Sequence, residues 1–249
     1  MTDFTFVEGY GPIIATAIHD GHAFAPSLAE STRIDAASRL REEDPYTGRL
    51  VDVAPTYLVA HRSRFTVDLN RPRDKSVYRG PEDAWGLDIA PRSVADVSAA
   101  LVLYDAFYAA LERTLESRRR FVVLDIHSYN HRRLGPDASP ADPLDNPEIN
   151  LGTMTIGSHW APLVARFTDD LRAQEVTTGP LDVRANVKFG GGYMARWINQ
   201  RFGDRGCAIA IELKKTFMDE WTGALDEAHL AALKRALAAT LPGLLEVLG

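Results

Sequence analysis

The chain has 249 residues, 45% of them hydrophobic and 25% charged, and a formal net charge of −6 at pH 7. These are ordinary values for a globular domain; mild acidity without a basic stripe argues against a nucleic-acid partner, and no apolar run approaches the roughly 18 residues of a membrane span. The first ten residues lack the basic and apolar stretches of an export signal, and the single Cys207 can form no internal disulfide, so a reducing cytoplasm is the expected location.

Residues 12–18 (PIIATAI) stop at His19 and predict a buried strand ending in a polar loop. A helix is expected over 35–43, then a turn from Pro45 to Gly48. Strands are expected at 56–61 (TYLVAH) and 64–69 (RFTVDL), followed by a loop over 70–92 rich in proline, glycine and charge. Val97, Leu101, Tyr104, Phe107, Tyr108, Leu111 and Leu115 recur at three- and four-residue spacing and mark one face of a helix. Arg118, Arg119 and Arg120 suit its C-terminal end, where the helix dipole favours cations.

The run 121–126 (FVVLDI) predicts another apolar strand, ending at His127, and 136–147 a loop. Helices follow at 159–172 and at 193–202, the second after three glycines. Residues 207–213 (CAIAIEL) read as a buried strand carrying one acid, and 225–241 as an amphipathic helix stopped by Pro242 and Gly243. Strands alternating with helices argue for a layered α/β fold with a parallel or mixed sheet. Without repeats, low-complexity tracts or long linkers, one domain over 1–249 is expected.

In such sheets ligands bind beyond the strand ends, and His19, His127 and Glu212 all stand at or near the ends of apolar runs. His19-Asp20-Gly21-His22 offers two imidazoles around a glycine that permits a tight bend; it is either a metal-binding turn or a polar one. Asp125 alternates with His127 and projects to the same face, either orienting a ligating imidazole or forming a buried structural pair. The acidic run Glu42-Glu43-Asp44 offers a further carboxylate ligand, with solvated surface as the alternative. Glu212 interrupts a core strand, where an unpaired carboxylate is costly, and it suits general base and acid work on water. Arg71, beside Asn70, has the forked geometry to hold a carboxylate; an internal salt bridge competes with that role, above all between Arg64 and Asp68.

Taken together, these motifs resemble the N-formylglutamate amidohydrolase family, from about Ile13 to Glu220. The resemblance lies in His-x-Gly at His19, Ser-Arg-Phe-Thr-Val-Asp-Leu-Asn-Arg-Pro at 63–72 and Asp-Ile-His-Ser at 125–128. It extends to Asn-Leu-Gly-Thr at 150–153, Gly-Gly-Tyr near Gly191, and Glu212-Leu213 followed by Met218-Asp219-Glu220. The resemblance implies a three-layer α/β sandwich with a central mixed sheet, like that of zinc exopeptidases, and is related to carboxypeptidases and aspartoacylases. It further implies one Zn2+ ion held by His19 and His127, with His22 or Asp44 as third ligand, and Glu212 as the base. Asn70 and Arg71 would grip the substrate carboxylate, and Arg64 or another cation the oxyanion. The expected partner is a small acyl amino acid, with neither nucleic acid nor membrane.

The expected reaction is hydrolysis of an N-formyl or other N-acyl amide; a deacylase or carboxypeptidase of different substrate class, or a binding protein with the same fold, is the alternative. The chain departs from the family pattern in His19-Asp20-Gly21-His22, where His-Ser-Gly is common, in the Lys188-Phe189 order, in His131, Arg132 and Arg133, and in Lys214 and Lys215.

Overall fold

The apolar runs 12–18, 121–126 and 207–213 lie side by side at the centre of a seven-stranded sheet in the computed structural model, which describes residues 2–24 and 26–249. In chain order the elements begin with β1 (Phe4–Val7), β2 (Ile13–Ala17), α1 (Pro26–Ser31), α2 (Ala36–Glu42), β3 (Thr56–Ala60), α3 (Val94–Glu116) and β4 (Phe121–Tyr129). There follow β5 (Ile149–Gly152), α4 (Ala161–Arg172), the β6–β7 hairpin (Glu175–Val176 and Gly179–Pro180), β8 (Val183–Ala185), α5 (Tyr193–Phe202) and β9 (Gly206–Lys214). The chain ends with α6 (Glu227–Ala239) and α7 (Leu241–Leu248). Side chains of Asp35, Ser93 and Asp226 cap α2, α3 and α6 by accepting from a backbone N–H three residues on.

The sheet order is β1-β3-β2-β4-β9-β5-β8. The central β3, β2, β4 and β9 run parallel, while β1 is antiparallel to β3 and β5 to β9. A parallel sheet covered on both faces needs apolar residues at every position, and all nine residues of β4 are buried. Alternate side chains divide between two cores. Ile13, Val122 and Ile209 meet Leu163, Phe167 and Leu233 of α4 and α6 on one face, whereas Ile14, Val123 and Ala208 meet Leu103, Phe107 and Ile198 of α3 and α5 on the other. The result is the expected three-layer α/β sandwich around a mixed sheet. By length and hydropathy α3 is also apolar enough to cross a membrane, but Leu103, Phe107, Leu111 and Leu115 bury one side of it against the sheet.

Two expected elements differ. Residues 64–69 form turns instead of a strand: the Ser63 carbonyl accepts from both Thr66 N (2.8 Å) and Val67 N (3.4 Å). The polar–apolar alternation there serves separate purposes, because Phe65 packs with Tyr78 in a small satellite core while Val67 and Leu69 enter the main one. Pro242 does not stop the last helix. It lies in the first turn of α7, where a missing N–H costs nothing.

Candidate metal centre and cleft

β2 and β4 pair with Thr16 opposite Asp125, so the chain leaving β2 sets His19 beside His127, their ring centroids 5.0 Å apart. His127 lies inside β4, two residues before its end, and not beyond it. Asp44 arrives from the turn after α2, fixed by its N–H to the His19 carbonyl (2.9 Å) and by Ser128 Oγ, which donates to its Oδ1 (3.1 Å). The three side chains are buried, and one donor atom from each lies within 4.8 Å of the others. Nδ1 of His19 is 3.4 Å from Asp44 Oδ2, and Nδ1 of His127 is 3.0 Å from the same oxygen. Behind the rings, Nε2 of His19 meets Asp68 Oδ1 at 2.7 Å and Nε2 of His127 meets Asp125 Oδ1 at 3.1 Å. A carboxylate behind each imidazole, with the other ring nitrogen facing a shared centre, is how histidines are oriented toward a metal. The donor set fits a divalent ion such as zinc.

His22 is not part of this group. Gly21 runs so close to the end of β3 that a Cβ there would sit 2.4 Å from the Arg62 carbonyl oxygen. His22 is turned outward, its side chain 48% exposed and its Nδ1 paired with Glu43. Arg71 also differs from expectation. It does not line the cleft; its guanidinium donates to the Asp83 carbonyl (2.6 Å), lies 3.5 Å from Asp68 Oδ2 and covers Tyr78. It thus supports Asp68, the carboxylate behind His19. The sequence does carry a sign of that role for Asp68, four residues after Arg64, with which it pairs at 2.9 Å.

Burial alone would lower the pKa of His127, but the charge of Asp125 and its bonds to Asp125 and Asp44 raise it well above the ordinary value. A metal binding there would compete with a proton for the ring. Apparent zinc affinity is therefore expected to fall by about tenfold per unit of pH below that pKa; zinc titrations between about pH 6 and 8 check the slope.

A cleft of about 400 Å³ opens over the group, lined also by Glu212, Asn70, Arg64 and the glycines 190–192. Glu212 stands opposite His127 in the β4–β9 register, and burial pushes its carboxyl up to about 7, with His127 opposing and Asp44 and Asp125 adding to the rise. Asn70 Oδ1 accepts from Met194 N (3.0 Å) at the start of α5; only a glycine at 192 lets its amide lie there, since a Cβ would fall 2.2 Å from Asn70 Nδ2. Arg64 is fixed by Asp68, by the Glu42 carbonyl (3.0 Å) and by the face of Trp85.

Three more cations line the cleft: Arg41, Arg133 and Lys188. Arg133 is paired with both oxygens of Glu42 (2.9 and 3.1 Å). Arg41 stacks on Trp221, and Lys188 Nζ donates to Asn146 Oδ1 (2.7 Å). Among the described residues neither has a carboxylate within ion-pair distance. Arg132 and Lys214 lie outside the cleft.

Lys215 follows β9 directly. The residue is 1% exposed, and its ammonium donates to the carbonyls of Arg41 (2.6 Å) and Glu43 (2.8 Å), on either side of Glu42 and immediately before Asp44. The strand that carries Glu212 thereby clamps the segment that delivers Asp44. Lys215→Met is expected to weaken zinc binding by about tenfold, as loss of outer support does at metal sites, measured by calorimetric titration.

A family model described as N-formylglutamate amidohydrolase matches residues 11–218. An N-formylglutamate deformylase of Pseudomonas aeruginosa is 25% identical over 261 residues, covering 94% of this chain and 92% of that protein. The crystal structure of an N-formylglutamate amidohydrolase from Ralstonia eutropha is similar with a TM-score of 0.73 at 19% identity, covering 100% of this chain and 97% of that one. A gene product of Agrobacterium tumefaciens follows with a TM-score of 0.67 at 16% identity, covering 94% and 92%. At these identities the two solved structures speak to the fold alone.

Proposed function

Since the chain belongs to the N-formylglutamate amidohydrolase family, we propose that it is a zinc-dependent hydrolase of the N-formyl, or another N-acyl, amide of a small carboxylate-bearing amino acid such as N-formylglutamate. The observation that carries this reading is the buried His19–Asp44–His127 group with Glu212 beside it. His19, Asp44 and His127 would hold a divalent ion, which when bound would supply Lewis-acid chemistry toward a carbonyl and a water molecule near neutral pH.

Glu212, with its carboxyl near neutrality, takes the proton of the attacking water and delivers it to the leaving amine. Arg64, a fixed cation on the cleft wall, faces the negative charge that develops on the amide oxygen. Arg41 and Lys188, neither of which is in an ion pair among the described residues, offer the substrate carboxylate a positive charge, and holding it sets the amide against the centre. The test is a panel of N-formyl, N-acetyl and peptidyl substrates, each with a free or an amidated carboxylate, given to the zinc-loaded protein. Release of free amine from an N-acyl amino acid, and not from its amidated form, is the expected result. Cleavage of peptides alone would replace this reading with a carboxypeptidase.

A further inference from the structure

Residues 150–154 and 186–192, apart in the chain, meet beside the cleft. The side-chain amide of Asn150, fully buried in β5, forms an extra rung between them. Its Oδ1 accepts from Lys188 N (2.9 Å) and, more weakly, from Phe189 N (3.5 Å), and its Nδ2 donates to the Phe189 carbonyl (2.8 Å). A backbone N–H only donates and a carbonyl only accepts, so the orientation of this amide is fixed. Around it, Asn186 N donates to the Leu151 carbonyl (2.9 Å) and Met154 N to the Gly190 carbonyl (3.0 Å). Gly152 lets the two segments touch, since a Cβ there would fall 2.4 Å from Gly191 N. Asn150 itself does not line the cleft, whereas Lys188, Phe189 and the three glycines do.

We infer that Asn150 is a positioning residue for substrate recognition: through the backbone of Lys188 and Phe189 it sets the Lys188 ammonium where one carboxylate of an N-acyl amino acid is held. The inference rests on the amidohydrolase reading for the identity of that substrate. A strand gains little from asparagine, and a buried amide without partners is costly, so the residue answers to the 188–189 backbone. Lys188 gives one N–H to Asn146 Oδ1 and keeps two donors for a carboxylate. Asn150 also stands opposite Glu212 in the β5–β9 register. The carboxylate reader and the proposed base thus hang from one strand pair, so the sheet sets their separation, and a substrate held at both ends has its amide aligned.

The test is calorimetric titration with N-formylglutamate and with its two mono-amides, in zinc-loaded protein carrying Glu212→Gln so that binding is read without turnover. Lys188→Met should weaken N-formylglutamate binding by about tenfold or more, the loss of one charge-assisted contact. Asn150→Ala should weaken it by about tenfold, as expected within one hydrogen-bonded network. The double variant should bind no worse than Lys188→Met alone, because the asparagine acts through the lysine. Each mono-amide lacks one carboxylate, and Lys188→Met should remove the penalty for one of them. Asn150→Ala should shrink the penalty for that same amide and leave the other unchanged, which general loosening of β5 would not do. Should Asn150→Ala fail to fold, Gly152→Ala takes its place, since it displaces the 190–192 segment without removing a side-chain hydrogen bond. Wild-type affinity in these variants, losses that multiply in the double variant, an altered penalty for the other amide, or no measurable binding of N-formylglutamate would overturn the inference. Turnover of the zinc-loaded protein without Glu212→Gln is measured separately. The expected binding pattern without hydrolysis of any N-acyl compound would sink the amidohydrolase reading and leave the role of Asn150 standing.

Discussion

Glu212→Gln is expected to fold and take up zinc, yet to lose about a hundred-fold or more in kcat, the usual contribution of a placed general base. Three carboxylates line the cleft among the described residues: Glu42, Asp44 and Glu212. Glu42 is held by Arg133, and Asp44 by the two imidazoles and Ser128. That leaves Glu212 as the carboxylate proposed to move protons. Glutamine keeps its shape, and β9 is paired on both sides of this residue, with His127 and with Asn150, so the backbone has no reason to shift.

The pH profile gives an independent readout. A base works only when deprotonated, so the wild-type rate should fall as pH drops through about 7 or below, a bound cation pulling the carboxyl lower still. In the Gln variant the part of that acidic limb owed to Glu212 should vanish. Turnover close to wild type would show that another group accepts the proton.

His127→Ala should abolish high-affinity metal binding, taking the metal content from about one ion per chain to near zero after dialysis, and activity with it. Replacing the carboxylate behind the other ring is a graded control. Asp68→Asn leaves His19 in place but weakens the partner that orients it at 2.7 Å, and should cost about 10- to 100-fold in affinity. Elemental analysis of both variants decides the matter: full metal content in His127→Ala would move the centre elsewhere.

How much of this was legible in the sequence follows from where each group sits. His127 and Glu212 stand out because parallel central strands must be apolar throughout, so a polar residue near their ends is conspicuous. His19 follows β2 for the same reason. The choice between His22 and Asp44 was not legible, because it depends on Gly21 passing against the end of β3 and on Lys215 gripping the carbonyls before Asp44. Both contacts join residues far apart in the chain. Arg71 was misplaced because residues 64–69 alternate like a strand while folding as turns, which carries Arg71 toward Asp83. The strands β1, β5 and β8 escaped notice since each has four residues or fewer, and Asn150 and Gly152 in β5 have little intrinsic preference for a strand.

The crowding of Asp44, Asp68 and Asp125 around two buried imidazoles would also make a bound ion a partner of the folded state alone. The unfolded chain scatters these donors over more than a hundred residues and binds zinc feebly, so mass action ties the melting temperature to free zinc. At a hundred times the dissociation constant the ion adds about 2.7 kcal/mol, or roughly 5–10 °C for a chain of this size. Melting curves recorded across a series of buffered zinc concentrations would then weigh the ion directly. They would do so equally well in the catalytically dead Glu212→Gln protein, which separates the strength of the centre from its chemistry.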